Sequence, residues 1–280
     1  MHSLAVLHTE WPPADALQVI CDLYKEETGV DVTVVQENWK TFSDRFFSEM
    51  DAGNPGRLDM VVGDSQWLGT SVEKGLYVDL TKFMEENQLK ETLVQETIQY
   101  YSEYPEGSGK LWSYPTEGDA IGWAYRKDLF DNPEEMAAFS ARFGGRVLAP
   151  PTTLDELKDI AEFFTRPDKD LYGVGLYTES GYDEITMGFE TALFSYGGDW
   201  KTITNDVDLG SLSSSADALQ YYKDLHDCCT DKNTTDKGYD KIHNLIIKGK
   251  AAMIMSYFAM MGPLASSESN PYANSTGKYS

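Results

Sequence analysis

Residues Leu4–Val35 read LAVLHTEWPPADALQVICDLYKEETGVDVTVV, and the order of patterns within them decides the fold. Leu4–Leu7 is a short apolar run that predicts a strand. Pro12 stands where a helix tolerates proline, in its first turn. Leu17, Ile20, Cys21 and Tyr24 then share one helical face, and Gly29 follows the last turn as a helix terminator. Val30–Val35 is rich in β-branched residues and predicts a second strand. A strand, a helix and a strand at this spacing predict parallel pairing within an α/β layer.

The pattern continues outward. Asn38–Asp51 predicts a helix with Phe42, Phe46 and Met50 on one face. Asp59–Val62 predicts a third strand and Ser65–Lys74 a further helix. Val94, Ile98 and Tyr101 predict an amphipathic helix over Glu91–Tyr104. A second body begins after Tyr125. Thr153 and Glu156 form a capping-box pattern ahead of a helix with Leu154, Leu157, Ile160, Ala161 and Phe164 on one side. Gly173–Tyr177 reads as a strand, Ile185–Tyr196 and Ser214–Cys229 as helices, and Ala251–Met255 as a buried strand. The tail from Ser266 to Ser280 reads as loop. No flexible tether separates the bodies. The joints are therefore expected in continuous strands, at residues 116–125 and 250–255, which suits a hinge.

The chain has 280 residues, enough for one large or two ordinary domains. Acids outnumber bases 46 to 23, for a formal charge of -23. Such a surface repels a polyanionic duplex, which excludes nucleic acid as a partner, and it disfavours anionic lipid headgroups. No apolar run approaches the roughly 18 residues of a membrane span. Met1–Leu7 is too short for a signal peptide and lacks a basic start. Export would thus require a signal or lipid anchor that this sequence does not contain. Cys21 is expected as a core thiol. Cys228 and Cys229 are adjacent, and neighbouring cysteines rarely meet disulfide geometry with each other.

In open α/β sheets, ligands sit beyond the carboxyl ends of the strands. Three such ends are visible in the first body: Glu10 and Trp11; Gln36, Glu37, Asn38 and Trp39; Asp64, Ser65, Gln66 and Trp67. Each places an aromatic ring beside polar groups. A sugar needs both, flat rings for its C–H faces and carboxylates or amides for its hydroxyls. Glu117 and Asp119 stand at the entry to the first joint, where carboxylates would accept hydrogen bonds from ligand hydroxyls. In the second body Tyr177, Glu179 and Tyr182 follow a strand, Asp199 and Trp200 follow Gly197-Gly198, and Tyr257 follows the second joint. The expected hydrogen-bonding residues are Glu10, Asp64, Gln66 and Asp119. The expected stacking residues are Trp11, Trp67, Trp200 and Tyr257, with Glu117 and Tyr182 completing the candidate set.

Sharper motifs fail. Gly63-Asp-Ser-Gln-Trp67 lacks the second glycine of a nucleophile elbow, so Ser65 reads as a cap or donor. His226, Cys228, Cys229 and His243 fit no standard zinc spacing. Asp231–Asp236 begins like a calcium loop but lacks its glycine, and Ile242 stands where the bidentate glutamate belongs. Tyr100-Tyr101 and Tyr221-Tyr222 raise the alternative of ferric-iron binding, yet each pair lies in an amphipathic helix with one ring expected in the core. Paired acids also raise the alternative of a glycoside-active enzyme.

The run Ala120-Ile-Gly-Trp-Ala-Tyr-Arg-Lys-Asp-Leu-Phe130 lies between Tyr114-Pro115 and Pro151-Thr-Thr-Leu-Asp-Glu-Leu157. Tyr196-Gly-Gly-Asp199 and Gly249-Lys-Ala-Ala-Met253 come later. In that order these motifs resemble the extracellular solute-binding proteins of ABC importers, the sugar-binding type that includes maltose and trehalose receptors. The resemblance implies a type II periplasmic-binding-protein fold of two α/β lobes. It implies a first lobe of residues 1–115 plus 256–280, with Ser256–Ser266 helical, and a second lobe of 126–249. It also implies capture of a carbohydrate or polyol without catalysis or cofactor, delivery by a monomer to membrane permease subunits, and a periplasmic or extracellular location. Ligand contacts are expected near Asp119, while several relatives have an aromatic residue at the place of Glu117. Members of the family usually continue for about a hundred further residues, a domain-sized segment that is not in this sequence.

Overall fold

The computed structural model describes residues 3–201, 206–207, 213–273 and 276–279, the last four by backbone alone. The chain divides into two compact units, Met1–Gly118 and Asp119–Ser280.

The first unit realises the strand–helix–strand expectation. Strand β1 (Ser3–Thr9) leads into α1 (Pro12–Thr28), which returns the chain to β2 (Asp31–Glu37). Pro12 occupies the first turn of α1, and Gly29 closes it at φ 75°, its N–H donating to the Lys25 carbonyl at 2.8 Å. An L side chain is strained at that angle, so glycine is needed there. Helix α2 (Trp39–Asp51) is capped by the Asn38 side chain, which accepts from Lys40 N. Strand β3 (Met60–Val61), α3 (Leu68–Glu73), α4 (Thr81–Glu86) and α5 (Gln95–Tyr101) complete the unit. The sheet order is β2-β1-β3, all parallel, with Thr9 opposite Glu37 and Leu7 opposite Val61. Val6, Ala14, Cys21, Val32 and Val34 are buried between sheet and helix, and Cys21 is a free thiol as expected. The helix expected over Glu91–Tyr104 is shorter: Leu89–Thr92 forms a 3-10 turn, and extended backbone at Leu93 and Val94 delays α5 to Gln95.

The second unit is built on β4 (Ile121–Arg126), α6 (Lys127–Phe130), α7 (Pro133–Arg142), α8 (Leu154–Phe164), β5 (Tyr172–Gly175), α9 (Glu184–Ser195), α10 (Ser213–Cys229), α11 (Tyr239–Ile247), β6 (Ala251–Tyr257) and β7 (Thr276–Tyr279). Its sheet order is β5-β6-β4-β7. β5 runs parallel to β6, while β4 is antiparallel to both β6 and β7. The larger core lies here, joining Leu157, Ile160 and Phe164 of α8, Leu225 and Cys229 of α10, Ile242 and Ile246 of α11, and all of Ala251–Met255. Thr153 caps α8 by accepting from Glu156 N, and Glu156 bonds back to Thr152 N at 2.7 Å and to its hydroxyl at 2.9 Å. The capping box is thus present with its return bond displaced by one residue.

Four expectations need correction. Residues 256–280 belong to the second unit, not the first. Met261 and Leu264 are in its core, Arg126 lies 3.6 Å from the Tyr272 ring centroid, and β7 pairs with β4. Of the stretch 250–255, expected as a joint, residues 251–255 lie in β6, interior to that sheet, and the division between units falls at Gly118, inside the first expected joint. Ser256–Ser266 is not a continuous helix: β6 runs on to Tyr257, and 3-10 turns follow at Ala259–Met261 and Pro263–Ala265, where Pro263 lacks the N–H a helix would need. Finally, Cys228 and Cys229 are joined in a disulfide with Cα atoms 3.7 Å apart.

Among the described residues no helix is long and apolar enough to cross a membrane.

A buried polar chain underlies β5 and β6. His243 Nε2 and Ser256 Oγ are 2.7 Å apart, and the Tyr222 hydroxyl donates to the Tyr177 carbonyl at 2.8 Å. His243 is 4% exposed, and burial pushes its pKa down from 6.5 to about 4. The unfolded chain therefore takes up a proton below about pH 6.5 that the folded protein refuses until about pH 4. Stability contributed by neutral His243 is complete above that window and is lost as pH falls through it, by about 3 kcal/mol in full. Urea melts at pH 7.5 and pH 4.5 are expected to show a smaller acid loss in His243→Gln than in the parent. Equal losses would place the acid sensitivity elsewhere.

Candidate strand-end binding residues

The parallel register of β1, β2 and β3 brings their carboxyl ends to one edge of the first unit's sheet. Glu10 N donates to the Glu37 carbonyl at 2.8 Å, which seats Glu10, exposed, beside the end of β2. The Trp11 ring meets Trp39 edge-on, with centroids 5.6 Å apart, and His8 at 6.2 Å. The Trp11 Nε1 and Thr9 Oγ1 atoms are buried there with no hydrogen-bond partner. Burial lowers the His8 pKa, and the neutral ring accepts from Thr9 N through Nδ1 at 2.8 Å. Glu37 is held below the usual carboxylate range by the Thr41 hydroxyl and the Arg45 guanidinium, each 2.6 Å away. It is committed to α2, so Glu10 and Asp64 are the acids of this edge better suited to a ligand.

Asp64 caps the 3-10 turn Ser65–Trp67 by accepting from Gln66 N at 3.2 Å, and the Gln66 side chain is exposed. Trp67 is placed differently from expectation. It is 5% exposed and stacks on Phe46 at 5.4 Å with an interplanar angle of 9°. Phe42 and Phe47 approach the same ring at 4.9 Å and 5.7 Å. Its faces are used in packing, so it offers no platform to a ligand. Trp39, partly exposed over Trp11, is the aromatic residue better suited to that role.

Glu117 lies at the end of the first unit and Asp119 at the start of the second. Both are exposed. The Asp119 carboxylate accepts from Ala120 N at 2.7 Å and from Ala259 N at 3.2 Å. It thereby ties the start of β4 to the turn after β6.

In the second unit, Tyr177 is 0% exposed and belongs to the core. The strand exit beyond it is fastened by Lys237: its carbonyl accepts from Thr178 N at 2.9 Å and Glu179 N at 3.1 Å, and its N–H donates to the Thr178 hydroxyl at 2.8 Å. The Lys237 side chain is 1% exposed; burial lowers its pKa, and the Asp231 charge acts in the opposite sense. The carboxylates of Glu179 and Glu184 pack against Gly238, where a Cβ would lie 2.6 Å from Glu179 Oε2 and 3.1 Å from Glu184 Oε1. Tyr182 is half-buried beside them in sequence. The Trp200 ring stands edge-on to Phe189 at 5.9 Å, and its N–H donates to Glu190, whose pKa burial raises. Glu190 carries no sequence signal beyond its helical position, since only packing brings it to Trp200. Tyr257, at the carboxyl end of β6, lies 6.2 Å from Tyr177.

Among the described residues no group of three or more His, Cys, Asp or Glu side chains is placed to hold a metal ion. Tyr221 and Tyr222 are both buried, not one of the two as expected, and their hydroxyls donate to the carbonyls of Leu154 and Tyr177. That pair is used in packing.

Two α/β units, one with a parallel sheet whose three strand ends carry acids and indoles, define a ligand-binding class of fold. The chain belongs to the bacterial extracellular solute-binding protein family, whose sequence model matches residues 10–277. No curated protein sequence matches it. Among solved structures it is similar to an ABC transporter solute-binding protein from Agrobacterium radiobacter K84 in complex with ribitol, with TM-score 0.84 and 22% identity over 99% of this chain and 65% of that one. The maltose-bound MalE3 of T. maritima gives TM-score 0.80 at 18% identity, covering 100% of this chain and 67% of that one. A solute-binding protein from Thermotoga lettingae TMO bound with α-D-tagatose gives 0.80 at 20% identity, covering 99% and 67%. The chain thus spans about two thirds of the length of the structures it matches.

Proposed function

We propose that the chain captures a carbohydrate or polyol for an ABC importer and hands it, chemically unchanged, to membrane permease subunits. The observation that carries this is the strand-end edge of the first unit, where Glu10, Trp11, Trp39 and Asp64 join acceptors for hydroxyls to indole rings in a member of a solute-binding family. Ribitol, tagatose and maltose in the similar proteins support the ligand class. In the proposed mechanism Glu10, Asp64, Gln66 and Asp119 accept or donate hydrogen bonds to ligand hydroxyls, with Glu117 and Tyr182 as further polar contacts. Trp11, Trp39, Trp200 and Tyr257 supply aromatic contact. The protein acts as a monomer outside the cytoplasmic membrane, held near it by the transporter or a lipid anchor.

A thermal-shift panel of monosaccharides, disaccharides and linear polyols tests this. A ligand at about 100 times its dissociation constant stabilises by roughly 2.7 kcal/mol, so at least one compound is expected to raise Tm by several degrees. A folded protein with no response to any of them would count against the proposal.

A further inference from the structure

We propose that the Cys228–Cys229 disulfide is a redox control on the strand exit at Thr178 and Glu179, and through it on ligand affinity. The second step rests on the proposed function; the first does not.

The disulfide closes an eight-membered ring, including the intervening peptide bond, at the last turn of α10. Cys229 is buried in the second unit's core, whereas Cys228 is exposed. The backbone that leaves this ring is fastened at each step. The Thr230 hydroxyl and Lys232 Nζ donate to the His226 carbonyl at 2.9 Å and 2.7 Å. The buried Asp231 carboxylate accepts from Asn233 N at 2.8 Å and the Thr234 hydroxyl at 2.6 Å. Asp236 turns the chain at φ 52°, in the left-handed region that aspartate tolerates better than most side-chain-bearing residues. Immediately after it, Lys237 makes the three bonds to Thr178 and Glu179, and Gly238 packs against the Glu179 and Glu184 carboxylates. A segment that starts at the disulfide therefore ends on the strand exit that leads, three residues after Glu179, to the candidate binding residue Tyr182.

Reduction balances with a dithiol reductant. One thiolate attacks the exposed Cys228 sulfur, the S–S bond breaks, and Cys229 leaves as a thiolate that takes a proton. The second reductant thiol then displaces Cys228, which is also protonated, and closes the reductant's own disulfide. The protein gains two electrons and two protons. Opening the ring frees the α10 terminus, loosens residues 230–236, and weakens the hold of Lys237 on the strand exit.

The test compares the full chain in oxidised and dithiol-reduced states, each verified by intact mass. Amide hydrogen exchange and titrations with maltose, ribitol, D-mannitol and tagatose are then measured on both. In the reduced state, exchange is expected to speed up over residues 176–182 and 230–238, and the affinity of any binding probe to fall about fivefold, the low end of coupling between two sites. Cys228→Ser is expected to match the reduced protein and to ignore reductant. If that variant fails to fold, the two redox states of the parent suffice. Equal exchange in the two states, or cysteines that stay reduced under oxidant, would overturn the proposal. Altered exchange with unchanged affinity would overturn its second step. If no probe binds in either state, the proposed function has failed, and exchange alone decides the coupling.

Discussion

Gly173→Ala is expected to destabilise the second unit by about 3 kcal/mol, the upper range for forced overpacking. Gly173 lies in β5, buried where α8 crosses the sheet. A Cβ there would lie 1.8 Å from the Ala161 carbonyl oxygen and 2.5 Å from Ala161 Cα. These are helix backbone atoms, so no side chain can swing away. The close approach is itself bonded: Gly173 N donates to the Thr165 hydroxyl at 3.0 Å, which donates to the Ala161 carbonyl at 2.7 Å. Relief would require α8 to lift off the sheet and break this relay. Gly175→Ala is the comparison, since its Cβ would meet the Ile254 and Leu245 side-chain ends at 3.1 Å and 3.2 Å. Thermal melts are expected to show a fall of roughly 6–12 °C for Gly173→Ala and a much smaller one for Gly175→Ala. Similar falls would mean that α8 gives way more easily than its packing implies.

Trp200→Ala is expected to weaken saccharide or polyol binding about thirtyfold, or roughly 2 kcal/mol, the scale of an aromatic anchor. The indole is half-buried and oriented by two contacts, Phe189 at its edge and Glu190 at its N–H, so its geometry does not depend on a ligand to order it. Trp67→Leu is expected to do the reverse. It removes a ring stacked on Phe46 and lowers stability, but leaves the affinity of the folded protein close to that of the parent. Titration calorimetry on both variants, with melts alongside, separates the two effects. A large affinity loss in Trp67→Leu with none in Trp200→Ala would invert the assignment of stacking roles.

Local pattern carried most of the fold. Proline, glycine and apolar spacing marked α1 from Pro12 to Thr28, because caps and periodicity act within a few residues. The three parallel strand ends were legible for the same reason. Features set by distant partners were not. β7 lies in a polar tail whose composition reads as loop, and it is a strand only because β4 offers it an edge. Trp67 beside Asp64 reads as a binding aromatic; the aromatic side chains of α2 that enclose it are known only once α2 packs beside it. Tyr177 reads only as a strand end and Tyr222 as one of a pair with a single core ring, yet close packing at Gly188, where a Cβ would lie 2.3 Å from the Tyr222 hydroxyl, lets that hydroxyl reach the Tyr177 carbonyl and buries both. The Cys228–Cys229 pairing was legible only as adjacency.

The central claim is that this chain holds a hydroxyl-rich guest and lets it go intact. Equilibrium dialysis against maltose, ribitol, D-mannitol and tagatose, followed by mass analysis of the recovered compound, tests it most directly. Saturable uptake of about one molecule per chain for at least one compound, recovered without chemical change, is the expected result. Cleaved or altered product, or no saturable uptake of any compound by folded protein, would contradict it.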